Sequence, residues 1–238
     1  MCGVFGFMTS NGRGPNIKTL KTLAKVTELR GRHAFGLAWV DRHGGINTYK
    51  RPGAASDDLH DLEMVEDAVA VIGHCRWATH GSHERNINNH PHESGSGYVV
   101  HNGIFTSHRE VAERFDIRTV SECDSEVLGK MIARGRGAIE KRVKFLSRHV
   151  DDSIAMLGLW ANPVRFMMMK NGRPLHATDM DRGSYFASLI HGLPGDPYSI
   201  REGTIAVITG MGDEQDIARE KFARRPRFSE TPLFTYTH

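Results

Sequence analysis

The order of the apolar runs constrains this chain more than any other feature. Short runs with strand character fall at residues 4–8, 34–40, 46–50 and 68–75, and again at 153–160, 164–169, 174–178, 184–188 and 204–209. Between the two blocks the period changes. Ser121-Glu122-Cys123-Asp124 reads as a helix start, with Val127, Leu128 and Met131 on its apolar face, and a second helix is predicted near 137–147. An earlier helix is predicted from Ile17 to about Leu29, with Leu20, Ala24 and Thr27 on one face. Strands, then helices, then more strands do not alternate as a doubly wound parallel sheet requires, so the pattern points to an α+β fold.

At 238 residues the chain suits one large domain or two small ones, on a prior of about 150 residues per domain. Hydrophobic residues at 39% and charged residues at 25% exclude a disordered tail. No stretch approaches the roughly 20 apolar residues needed to span a bilayer. The 31 basic and 28 acidic residues leave a net charge of +3, so direct nucleic-acid binding and membrane attraction are not expected. The cysteines, Cys2, Cys75 and Cys123, are odd in number and widely spaced, against a disulfide framework. No basic segment precedes a long apolar run at the start, which predicts a cytoplasmic protein. The polar, basic end from Gln215, with Arg224-Arg225-Pro226-Arg227, reads as a tail that orders only by docking on something.

Four places hold chemistry. Removal of Met1 would leave Cys2 with a free α-amine, whose pKa of about 7.7–8.0 suits it to take the thiol proton; the plain alternative is a buried cysteine near a frayed end. Arg76-Trp77-Ala78-Thr79-His80-Gly81 sits where an apolar strand opens into an aperiodic loop, 78–96. An arginine there can grip a carboxylate or form a simple ion pair. Asn102-Gly103, between Tyr98-Val99-Val100-His101 and Ile104-Phe105, is a strong hairpin-turn signal. It can equally supply an amide and a backbone N–H as an oxyanion hole. Asp124 is either a capping carboxylate or a partner for an ammonium group. Seven of the 14 histidines lie between His74 and His108. His80, His83, His90 and His92 raise the question of a metal, but no metal-binding spacing accompanies them and none is expected.

Taken together these segments resemble the class II glutamine amidotransferases, among the N-terminal-nucleophile hydrolases, and above all the glutaminase domain of glucosamine-phosphate synthase. The resemblance rests on Met1-Cys2-Gly3-Val4-Phe5-Gly6, Arg30-Gly31 with Gly36-Leu37-Ala38, Gly73-His74-Cys75-Arg76-Trp77-Ala78-Thr79-His80-Gly81, Asn88-Asn89-His90-Pro91-His92, Val100-His101-Asn102-Gly103-Ile104 and Ser121-Glu122-Cys123-Asp124-Ser125-Glu126-Val127. It implies a four-layer αββα sandwich over 2–210; 211–238 is left as a basic C-terminal tail and a candidate for partner docking. It implies Cys2 as nucleophile, Asn102 and Gly103 as oxyanion hole, Arg76 and Asp124 for the carboxylate and ammonium of glutamine, and Trp77, Thr79 and His80 in a closing loop. Arg30 would order the nucleophile. No cofactor is implied.

The stretch from His80 to His90 carries one residue more than the family pattern, and Ala187-Ser188 lacks the Asp that often follows it. No sugar-phosphate isomerase domain follows. The expectation is therefore a stand-alone glutaminase that supplies ammonia to a separate synthase or ligase, with oligomeric state open. Two alternatives remain at this point: a hydrolase of another γ-glutamyl amide, and a non-catalytic glutamine-binding sensor.

Overall fold

The structure, a computed structural model, describes residues 1–211 and 215–222. In chain order its strands are β1 (Gly3–Thr9), β2 (Ala34–Asp41), β3 (Ile46–Pro52), β4 (Ala68–Arg76), β5 (His92–Ser94), β6 (Gly97–Gly103), β7 (Ile154–Trp160), β8 (Arg165–Asn171), β9 (His176–Met180), β10 (Gly183–Ala187), β11 (Tyr198–Ser199), β12 (Thr204–Thr209) and β13 (Asp216–Lys221). The helices are α1 (Ile17–Thr27), α2 (His108–Arg114), α3 (Ser125–Arg134) and α4 (Ile139–Ser147). One antiparallel sheet has the order β11-β9-β10-β1-β4-β2-β3, the other β13-β12-β8-β7-β6-β5.

Strand side chains alternate between two faces, and here both faces are buried. In β1, Val4 and Met8 enter the core between the sheets, while Phe5 and Phe7 pack outward with Leu20, Leu23 and Ala24 of α1. In β7, Ala155, Leu157 and Leu159 face the other sheet, and Ile154 and Met156 join Val127, Leu128 and Met131 of α3. Three apolar layers therefore separate four layers of structure, αββα, as expected. α1 starts where Asn16 Oδ1 accepts the Thr19 N–H at 3.2 Å, and it tightens into a 3-10 turn at Glu28–Arg30.

Three local expectations change. Asn102-Gly103 forms no hairpin turn: β6 runs straight through both residues, and Asn102 and Gly103 pair with Ala155 and Ile154 of β7. Central position in a sheet outweighs the local turn preference. The segment 78–96 contains a short strand, β5, paired through His92 and Val99. Within the segment read as a tail, Asp216–Lys221 pairs along its whole length with Thr204–Thr209 as an edge strand. Its charged residues Asp216, Arg219, Glu220 and Lys221 hid it, as charge hides many edge strands. Arg224, Arg225, Pro226 and Arg227 lie outside the described residues. Among the described residues no helix is long and apolar enough to cross a membrane.

Candidate active site

Cys2 lies immediately before β1, at the sheet end where Gly3 pairs with Cys75 and Ala34 with Arg76. This register brings the Cys2 thiol against the Trp77 backbone. The Trp77 N–H donates to Sγ at 3.4 Å, and the thiol donates to the Trp77 carbonyl at the same distance. Burial pushes the thiol pKa up; the Trp77 backbone, the chain-terminal charge and Arg76 only partly oppose it. The thiol is thus neutral near pH 7 and needs a base to become a nucleophile.

Arg30, in the 3-10 turn after α1, ties the site together. Its Nε–H donates to the Cys2 carbonyl at 2.7 Å and Nη2 donates to Asn102 Oδ1 at 3.5 Å. Binding Oδ1 fixes the orientation of the amide. Asn102 Nδ2 is buried and has no hydrogen-bond partner. A buried donor left unpaired costs about 1–3 kcal/mol, unless an incoming oxygen pairs with it. Gly103 follows with φ 156°, where a Cβ would stand 2.6 Å from His101 Nε2 and 2.7 Å from the Ser153 carbonyl. Only glycine fits there. Cys2, Trp77, Thr79, Asn102 and Gly103 line one cavity of about 220 Å³.

Arg76 and Asp124 are buried beside this cavity but do not line it. Arg76 Nη1 donates to Asn89 Oδ1 at 2.9 Å, and Nη2 donates to the carbonyls of His80 and Gly81. Here the guanidinium holds the 77–91 loop in shape. Asp124 precedes α3 yet makes no capping bond. Its Oδ2 accepts the Phe105 N–H at 2.6 Å and Oδ1 accepts from the Ser125 hydroxyl at 3.3 Å. Burial pulls its pKa up, but His101, the Phe105 N–H, His80 and His108 outweigh it, and the net shift is downward. The carboxylate stays ionised, ready for a cation. Both groups act electrostatically on Cys2.

The chain is 28% identical over 249 residues to a glutamine–fructose-6-phosphate aminotransferase of Agrobacterium fabrum, covering 98% of this chain and 40% of that one. It is 34% identical over 187 residues to the enzyme of the same name from Bacillus thuringiensis subsp. konkukian, covering 74% and 30%. This chain therefore spans less than half the length of these relatives. Its fold matches a glutamine phosphoribosylpyrophosphate amidotransferase from B. subtilis with a TM-score of 0.74 at 22% identity, over 93% of this chain and 49% of that one. It matches a glutamine aminotransferase class-II domain protein from Silicibacter pomeroyi with a TM-score of 0.57 at 18% identity, over 93% and 100%. No family model matches.

The chain is a relative of the class II glutamine amidotransferases. The shared part is their glutaminase domain, with its N-terminal-nucleophile fold.

The loop that follows Arg76 is built on histidine. Trp77, 47% exposed, stacks on His33 at 4.5 Å between ring centroids, and His33 stacks on His83 at 5.0 Å. His33 Nδ1 accepts the Ala78 N–H at 3.0 Å. Burial, with His83 and Arg76, lowers the His33 pKa. His80 meets His108 edge-on at 5.5 Å, and Thr79 Oγ1 lies 3.3 Å from His80 Nδ1. The four histidines that raised a metal question are not one cluster. His80 and His83 are half-buried on the loop, whereas His90 and His92 are buried below it.

That lower layer explains the histidine-rich stretch. His74 stacks on His90 at 3.8 Å, and His90 meets His92 at 4.7 Å. His74 Nε2 bonds the His101 carbonyl at 3.0 Å, and His101 Nδ1 bonds Ser125 Oγ at 2.9 Å. Burial lowers the pKa of all four, that of His92 to about 3, so the rings are neutral. Sequence reasoning missed His33, Asn89 and Arg173. Arg173 lines the Cys2 cavity, and its Nη1 lies 3.3 Å from Met1 Sδ. Locally it is one arginine after a turn glycine, and no sequence signal sets it apart.

Proposed function

We propose that this chain hydrolyses the side-chain amide of L-glutamine through a Cys2 thioester and passes the ammonia to a separate synthase or ligase. The observation that carries this reading is the unpartnered Asn102 Nδ2 beside the Cys2 thiol, with Arg30 bonded to both residues.

With Met1 in place the nitrogen of Cys2 is an amide and no base, so removal of Met1 comes first. The freed α-amine then takes the thiol proton. The thiolate attacks the side-chain carbonyl carbon of glutamine, and Asn102 Nδ2 and the Gly103 N–H receive the oxyanion. Collapse breaks the C–N bond, and the α-ammonium returns its proton to the leaving ammonia. Water, deprotonated by the same amine, then attacks the thioester, releasing glutamate and restoring the thiol. Asp124 pairs with the substrate ammonium. Arg76, which keeps N–H donors beyond those that order the loop, pairs with the carboxylate. Ammonia is protonated in bulk water, so an acceptor enzyme docked near the cavity mouth serves the chemistry best.

Glutamate release from glutamine by the Met1-processed chain tests the reading. Cys2→Ala should abolish turnover, and Asn102→Ala should lower kcat about 10²–10³-fold, the usual cost of one oxyanion donor. Added acceptor enzyme should raise the rate. Hydrolysis that survives Cys2→Ala would refute the thioester route.

A further inference from the structure

Below the glutamine site lies a group of side chains that the glutaminase chemistry does not use. A ring nitrogen of His90, a ring nitrogen of His92 and Cys123 Sγ all lie within 4.8 Å of one another, and all three residues are buried. The positions come from different elements. His90 ends the closing loop, His92 opens β5, and Cys123 precedes α3 by two residues. Only the fold brings Cys123 to the His90-Pro91-His92 segment.

A second observation points the same way. Neither ring nitrogen of His90 has a hydrogen-bond partner, and His92 Nε2 has none. These rings are 3% and 4% exposed. Buried polar atoms without partners are rare, and several together call for a specific occupant. Cys123 is not idle packing either: its thiol is directed at Asp124 Oδ1, 3.6 Å away.

We propose that His90, His92 and Cys123 form a binding site for a thiophilic divalent metal ion of the zinc class. Two neutral imidazoles and a thiolate are a donor set that zinc-type ions prefer over magnesium or calcium, which take oxygen ligands. Ligand atoms around a tetrahedral zinc sit about 2.0–2.3 Å from the ion, so the three would draw inward modestly on binding. The ion binds as the Cys123 thiol releases its proton to solvent; the zinc–sulfur bond replaces the S–H bond. The thiolate and Asp124 offset the charge of the ion against nearby Arg76 and Lys50. Entry is from the cavity of about 450 Å³ lined by Thr79, His80, His108 and Cys123. The site is independent of the glutaminase reading. Occupied, it would clamp the closing loop to the start of α3.

The test is Co²⁺ titration of the full-length Cys2→Ala protein, which removes the competing nucleophilic thiol. The expected result is a sulfur-to-cobalt charge-transfer band with tetrahedral d–d bands, saturating at one ion per chain and bleached by Zn²⁺. The band should persist on adding Cys75→Ser and vanish on adding Cys123→Ser. His92→Asn provides a second variant if Cys123→Ser fails to fold by circular dichroism; it too should lose the tetrahedral bands. Absence of any charge-transfer band in the Cys2→Ala protein, or a band that survives Cys123→Ser, overturns the proposal.

Discussion

In the proposed mechanism Arg30 is the residue on which the nucleophile and the oxyanion donor both depend. It does not line the cavity itself, yet it holds both the Cys2 carbonyl and the Asn102 amide oxygen. Lysine has one point charge and cannot reproduce this two-armed grip. Arg30→Lys should therefore lower kcat by about 10²-fold, the scale of a small misplacement of reacting groups, with KM for glutamine little changed. A steady-state comparison of kcat and KM checks it, and an unchanged kcat would remove Arg30 from the mechanism. Asp124→Asn should act on the other parameter. It keeps an acceptor for the Phe105 N–H but loses the charge proposed to pair with the substrate ammonium. A charge-assisted bond worth about 1.5–3 kcal/mol predicts a loss in kcat/KM of about 10- to 100-fold, carried by KM.

Among the elements, the turn after α1 and the loop that follows Arg76 fit each other at Gly31. Gly31 has φ −176°, an extended conformation that any residue adopts. What it lacks is space: a Cβ would lie 2.4 Å from the Arg76 carbonyl carbon and the Trp77 nitrogen. Gly31→Ala should push the Trp77 backbone off the Cys2 thiol. The expected cost is about 1–3 kcal/mol of stability, as for other overpacked sites, with a larger loss of glutaminase rate than stability alone explains. Denaturant midpoints and kcat on the same protein separate the two. The sequence showed Arg30-Gly31 and Arg76-Trp77 as separate signals. It could not show that they meet, because contact across a sheet end depends on register. The same limit explains Asn102-Gly103. Its local turn signal was overridden by pairing along the whole of β6 to β7 and of Gly97–Val99 to β5. The Gly3–Thr9, Ala34–Asp41 and Ala68–Arg76 strands were legible because their apolar runs are continuous. β13 was not, because an exposed edge strand carries charge where a buried one carries Val and Ile.

For the whole molecule, the buried histidine layer sets the response to acid. Burial lowers the native pKa of His74, His90, His92 and His101, while the unfolded chain titrates near 6.5. Below that pH the unfolded state takes up protons that the native state refuses, so stability must fall as pH falls. Above it the layer adds no pH dependence, because its rings are neutral in both states. Each such histidine removes about 1.4 kcal/mol per pH unit below about 6.5 until its native pKa is reached, which for His92 is about 3. Urea midpoints should drop steeply between about pH 6.5 and about pH 4.5, and His92→Asn should reduce the slope by about one histidine's share. A flat profile over this range would contradict the burial. Composition revealed the surplus of histidine, but only the fold divides it into a neutral layer below the site and a stacked loop above it.

In the proposed reaction Cys2, freed of Met1, attacks a glutamine side chain held in this cavity. The most direct measurement is intact mass of the purified protein before and after treatment with 6-diazo-5-oxo-norleucine, an electrophilic glutamine analogue. The expected result is a chain lacking Met1 that gains one covalent adduct, protected by glutamine and absent in Cys2→Ala. A chain that retains Met1 and gains no adduct, or an adduct that persists in Cys2→Ala, would contradict it.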